Sequence, residues 1–124
     1  MITGTGIDIV HVKRMERWLA NPGLLDRFFA EDELKCVMSR GKNTSLSLAA
    51  RFAAKEAFGK ALGTGLAGIN LKDIMVINNH NGKPQIALKD SALAALEKSQ
   101  SDKVHVSLTH ESDNAVAIII LEKV

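Results

Sequence analysis

Arg51-Phe52-Ala53-Ala54-Lys55-Glu56-Ala57-Phe58-Gly59-Lys60-Ala61-Leu62-Gly63-Thr64-Gly65 reads as a helix closed by a glycine turn. At about 100° per residue, Ala50, Ala53, Ala54, Ala57 and Ala61 share a stripe of small side chains, which lets the helix backbone lie close to another element. Arg51, Lys55, Phe58 and Leu62 line a second stripe. Glu56 and Lys60 share a third with Phe52, Gly59 and Gly63. A Glu and a Lys four apart are ordinarily a surface pair of small energetic weight. Here two more cations stand one face away, a Gly-Thr-Gly turn follows, and an acid elsewhere in the chain lacks a partner. The helix is therefore expected to carry an anion site with an acid inside it, the backbone N–H groups of Gly63, Thr64 and Gly65 facing the anion.

The remainder of the 124 residues must supply what packs on that helix. A chain of this length, 46% hydrophobic and with mixed charges, forms one globular domain, residues 1–124, without needing staples. A net charge of +2 argues against avid nucleic-acid binding. The lone Cys36 cannot form an internal disulfide or a zinc site and is read as a small apolar filler. No stretch has signal-peptide or membrane-span character, so the expectation is a soluble, cytoplasmic protein with no membrane partner.

Residues 2–10 alternate as a strand, with Gly4, Gly6, Asp8 and Val10 on one face. Two glycines there leave room for a close approach. Asp8 beside them either caps the following helix or binds a metal. A helix near 11–19 sets Lys13, Arg14 and Arg17 against Val12, Met15 and Leu19. Its basic side is a solvated face or a dock for an acidic protein helix, with Met15 or Trp18 adding apolar contact. A short turn at 24–29 and a helix at 31–40 lead to a loop, where Thr44 or Ser45 is available to cap the organising helix. Lys72 to Asn78 and Gln85 to Lys89 form a hairpin around Asn81-Gly82. Asp90 caps a helix to about Gln100, with Leu93 and Leu96 facing inward. Strands follow at 103–110 and 115–121, and the apolar run of the last predicts cover on both faces. The fold expected is α+β: an antiparallel sheet packed against a long Ala-rich helix.

Asp8 and Glu56, on different elements, are the kind of pair a hard divalent ion takes alongside phosphate oxygens and water. Lys55, Lys60 and Arg51 would neutralise those phosphates. In chain order, Gly6-Ile7-Asp8-Ile9-Val10, Arg51 to Ala57 with Lys60 to Gly65, Asn81-Gly82-Lys83-Pro84 and His105 to His110 resemble the short bacterial type of 4′-phosphopantetheinyl transferase, the holo-[acyl-carrier-protein] synthases.

The resemblance implies that a serine of an apo acyl carrier protein attacks the pyrophosphate of coenzyme A, which releases adenosine 3′,5′-bisphosphate. It implies Mg2+ on Asp8 and Glu56, and pyrophosphate on Lys60 with Lys55 as a second contact. It places Arg51 at the nucleotide end, the Asn81, Gly82, Lys83 and Pro84 hairpin beside the adenine, and Thr109 and His110 near the nucleotide phosphates. It also implies a homotrimer with interfacial sites, and Arg14 meeting the acidic carrier. Glu56, directly or through water, is the first candidate for the base. His110 is the second, set against a hydrogen-bonded core histidine. Two other functions suit the same residues: a metal-dependent nucleotide phosphohydrolase, and a non-enzymatic basic module using Lys13, Arg14 and Arg17.

Overall fold

The organising helix forms at Thr44–Leu62 (α4) in the computed structural model, which describes residues 1–124. Ala49, Ala53, Ala54 and Ala57 are fully buried, and the element they meet is strand β1 (Ile2–His11). A Cβ on Gly4 would run into the Ala61 carbonyl, and one on Gly6 into the backbone of Ala57 and Ala61. The strand's glycines and the helix's alanines are two halves of one close contact. Gly63 ends α4 in the left-handed region at φ 81°, a conformation glycine takes without steric penalty.

The main sheet has strand order β1-β5-β4, with β5 at Asn114–Glu122 and β4 at Lys103–His110. Both pairings are antiparallel. Register sets Asp8 opposite Ala117 and Ala117 opposite Leu108, with Val10, Ala115 and His110 forming the next inner row. Ala115, Ala117, Ile119 and Leu121 bury the inner face against α4. The expectation that β5 is covered on both faces is corrected here. Within the chain its other face stays open, with Ile118 37% exposed beside β1, whose Ile7 and Ile9 are 59% and 63% exposed.

A separate hairpin joins β2 (Ile74–Asn78) to β3 (Pro84–Leu88). The Asn-Gly signal marks a turn longer than two residues, because the Asn79 side chain accepts the N–H groups of Asn81 and Lys83 and organises the loop. Helices α1 (Val12–Leu19), α2 (Pro22–Phe28) and α3 (Glu31–Met38) pack around the start of α4. Met15 is fully buried, and Trp18 stacks on Phe28 at 5.2 Å and edge-on to Phe52 at 5.0 Å. Met15 is thereby closed to a partner, while Trp18 stays partly exposed beside the basic side of α1.

Helix α5 (Asp90–Lys98) turns Ala92 and Leu96 inward and leaves Leu93 41% exposed. Its N-terminus is not capped by Asp90. The Asp73 carboxylate accepts the Ser91 N–H at 3.1 Å and the Ser91 hydroxyl at 2.5 Å instead. Likewise Thr44 does not cap α4, because its hydroxyl donates back to the carbonyls of Val37 and Gly41. No helix is long and apolar enough to cross a membrane.

Candidate functional site

Asp8 projects from β1 toward α4, in line with Gly6 and Val10. Lys60, one turn beyond Glu56 on α4, reaches back to it: Nζ donates to Asp8 Oδ1 at 2.8 Å and to the Ile7 carbonyl at 3.1 Å. Hydrogen bonding to Asp8 and the Asp8 charge push the Lys60 ammonium above its ordinary range. Glu56 joins the group. Burial first, and the Asp8 charge second, hold its carboxyl above the usual carboxylate range, while Arg14 and Lys60 oppose them. The acid of the opening strand and the acid of the alanine-lined helix thus share one electrostatic environment.

Two crowded carboxylates without His or Cys form a donor set for a hard cation such as Mg2+ rather than for zinc. No cluster of three metal-binding side chains occurs, so such an ion would complete its shell with water and substrate oxygens. A divalent charge relieves the like-charge crowding at Glu56, and the residues fit that group.

Arg14 lies over the rings of Trp18 and Phe52, at 5.1 and 5.0 Å from their centroids. The aromatic cluster holds its guanidinium where its charge acts on Glu56. With His11, Lys13, Glu16 and Arg17 it lines an open groove of about 600 Å³. That groove is linked to the carboxylates through Arg14, whose charge acts on Glu56.

A second cavity, of about 350 Å³, opens on the other flank of α4, with Arg40, Ser47, Arg51, Asn78, Pro84 and His110 in its walls. Arg51 and Glu56 are roughly 140° apart around the helix. Asp8 and His110 sit on opposite edge strands of the sheet. One chain therefore holds two half-sites with α4 between them: carboxylates and Lys60 on one side, Arg51 and His110 on the other.

Arg51 is 4% exposed, yet its Nε has no hydrogen-bond partner. Its Nη1 donates to Ser47 Oγ at 2.6 Å and its Nη2 to Asn78 Oδ1 at 3.1 Å. His110 is exposed rather than a hydrogen-bonded core histidine, because the strand ends there and nothing covers it. Thr109 faces the outer side of the sheet with His105 and Ser107, away from the cavity. Pro84 lines the cavity, while Asn81, Gly82 and Lys83 form the exposed hairpin tip beside it.

Lys55 departs from expectation. It is fully buried, with Nζ donating to Glu33 Oε1 at 2.8 Å and to the carbonyls of Leu71 at 2.8 Å and Ile74 at 2.5 Å. Burial pulls its ammonium below the usual lysine range despite Glu33. All three of its donors are taken, so it ties α3 and the approach to β2 onto α4 and contacts no phosphate. The glycine turn is also less available than its composition suggests. The N–H of Gly63 donates to Lys60 and that of Gly65 to Gly59, which satisfies carbonyls at the end of α4.

Glu33, Asn78 and Ser47 escape a sequence reading. An acid in the first turn of a helix resembles an ordinary dipole partner, and nothing local connects Glu33 to Lys55. Cys36 is not an apolar filler either: it is half-buried, with guanidinium nitrogens of Arg51 and Arg40 at 3.5 and 3.6 Å from its sulfur.

Residues 4–119 match the 4′-phosphopantetheinyl transferase superfamily. The holo-[acyl-carrier-protein] synthase of Treponema denticola is 55% identical over 122 residues, which cover 98% of this chain and 99% of that protein. The crystal structure of the Neisseria meningitidis holo-[acyl-carrier-protein] synthase aligns with a TM-score of 0.89 at 34% identity, over 99% of this chain and 100% of that one. The Bacillus anthracis holo-(acyl-carrier-protein) synthase, in complex with CoA (3′,5′-ADP), aligns with a TM-score of 0.83 at 34% identity, over 100% and 99% of the two chains.

Proposed function

The chain belongs to the 4′-phosphopantetheinyl transferase superfamily, and on that premise we propose that it transfers phosphopantetheine from coenzyme A to a serine of an apo acyl carrier protein in the cytoplasm. The observation that carries this reading is the meeting of Asp8, Glu56 and Lys60 beside a basic groove. Asp8 and Glu56 would hold Mg2+, which supplies charge neutralisation on the pyrophosphate. Lys60 stands beside them to take a phosphate oxygen in exchange for Asp8. Its ammonium is more than half exposed and can swing away.

Glu56 is the first candidate for the base, directly or through water, because its carboxylate stands with Asp8 and Lys60 where the pyrophosphate would be held. The serine oxygen bonds to the phosphorus on the pantetheine side as the bond from that phosphorus to the bridging oxygen breaks. The bridging oxygen leaves on adenosine 3′,5′-bisphosphate. The groove of Lys13, Arg14 and Arg17 is the surface for the acidic carrier, with Arg14 closest to the chemistry.

The Arg51 cavity is the nucleotide half-site. The buried, unpartnered Nε of Arg51 and the exposed His110 support it as an anion pocket. On this reading His110 contacts a nucleotide phosphate, a role its place in the wall of the Arg51 cavity supports. The open apolar face of Ile7, Ile9 and Ile118 supports a homotrimer in which one protomer's carboxylates face its neighbour's nucleotide cavity.

Incubation with coenzyme A and Mg2+, with and without apo carrier, tests the whole by mass spectrometry. A phosphopantetheine mass gain on the carrier is expected. Consumption of coenzyme A without carrier would instead indicate a phosphohydrolase, and salt-sensitive carrier binding without any mass gain would indicate a binding module.

A further inference from the structure

The Arg51 guanidinium is aimed by its neighbours, and one of them belongs to the hairpin. Asn78 is the last residue of β2, paired with Pro84 across the base of the turn. Its Oδ1 accepts from Arg51 Nη2 at 3.1 Å, and its Nδ2 donates to the Gly82 carbonyl at 2.8 Å. A single amide thus ties the cation in the cavity wall to the tip of the turn that borders the cavity. Ser47, one helical turn before Arg51, fixes the other terminal nitrogen at 2.6 Å. With both Nη groups held, the guanidinium plane is set and only Nε lacks a partner. An asparagine suits this position because it accepts from one side and donates to the other. A carboxylate accepts only, and would neutralise the arginine.

We infer that Asn78 is a positioning residue for the nucleotide end of coenzyme A: it aligns Arg51 with the 3′-phosphate and couples that alignment to closure of the Asn79–Lys83 turn. The inference rests on the reading of this cavity as the nucleotide half-site, and it goes further by giving a role to a wall residue that acts through Arg51.

The test is steady-state kinetics of the full-length protein with coenzyme A and with dephospho-coenzyme A, which lacks the 3′-phosphate. The variants are Asn78→Ala, Asn78→Asp, Arg51→Met and Asn78→Ala/Arg51→Met, each checked for fold by circular dichroism. Asn78→Ala is expected to raise KM for coenzyme A about tenfold, the weight of one charge-assisted hydrogen bond. Its kcat and its KM for dephospho-coenzyme A stay within about twofold of wild type. Asn78→Asp keeps the volume but loses the donor to Gly82 and neutralises Arg51, so it raises KM for coenzyme A at least as much as alanine does and keeps the question answerable if the alanine variant folds poorly. In the Arg51→Met background, removing Asn78 adds nothing further.

Equal rises in KM for both cofactors, or additive effects in the double variant, would show that Asn78 merely holds the hairpin and would overturn the inference. So would an Asn78→Ala protein with wild-type KM, provided that Arg51→Met still weakens coenzyme A. If Arg51→Met itself leaves KM unchanged, the nucleotide does not occupy this cavity, and the underlying reading falls with the inference.

Discussion

Lys55→Met separates a structural lysine from a phosphate-binding one. The substitution keeps the aliphatic stem and removes an ammonium that donates to Glu33 Oε1 and to the carbonyls of Leu71 and Ile74. Both members of the ion pair are 0% exposed, so no water replaces the lost donors. Breaking a buried pair by removing one partner costs about 3–5 kcal/mol, because the remaining charge is left uncompensated. Glu33 softens that loss, since it also accepts the Ala30 N–H at 3.0 Å and the Val76 N–H at 3.1 Å. The lower end of the range, about 3 kcal/mol, is therefore expected, a large part of the roughly 5–15 kcal/mol that holds a domain folded.

At about 3–5 °C per kcal/mol for a domain of this size, the melting transition falls by about 10–15 °C. Neutralising both partners, as in Lys55→Met/Glu33→Gln, leaves no buried charge and costs less than the sum of the single changes. The assay is thermal unfolding at fixed protein concentration, since any oligomer ties stability to mass action. It is paired with KM for coenzyme A at a temperature where the variant is folded. A Lys55→Met protein that melts within about 2 °C of wild type, yet binds coenzyme A about tenfold more weakly, would refute the structural assignment and return Lys55 to the pyrophosphate.

Gly6→Ala drives a Cβ into the backbone of α4 and is expected to cost about 3 kcal/mol or to prevent folding; an equally stable variant in urea unfolding would contradict the close contact. Glu56→Gln should lower turnover about a hundredfold without loss of stability. The carboxyl of Glu56 is held above its ordinary range, so its contribution to stability is full below the unfolded value and is lost as pH rises through the folded one. In metal-free buffer the Gln variant should accordingly melt at or above wild type near neutral pH, and a lower melting temperature there would make Glu56 structural. Arg14→Ala should raise KM for the carrier while leaving that for coenzyme A unchanged, and weakened coenzyme A would contradict carrier docking. Ile9→Asp places a charge on the open sheet face and should convert a trimer to monomers in light scattering with loss of activity; an unchanged mass would show that this face is not the interface.

Much of the fold was legible because the signals were local. The period-two pattern of residues 2–10, the alanine stripe and its closing Gly63, and the turn around Gly82 each report a conformation decided within a few residues. The complementarity of Gly4 and Gly6 with Ala57 and Ala61 was half visible, since each element announced that something had to come close. Candidate chemistry was legible for the same reason: an acid beside glycines in an apolar strand, and an acid a turn from a lysine on the helix, are unusual enough locally to be noticed.

What the chain could not disclose in one dimension is which charges stay in water. Lys55 and Glu56 are adjacent residues with opposite fates. A rotation of about 100° sends the first into the core against Glu33, 22 positions earlier in the chain, and leaves the second beside Asp8. Lys60 and Arg51 differ in the same way, one exposed at the carboxylates and the other locked between Ser47 and Asn78. The residues themselves determined the elements, their close packing and the stock of acids and cations. Only the folded chain decided which side of α4 each group occupies, because burial and pairing are set by elements far apart in sequence, and the free energy of a charge depends on what surrounds it.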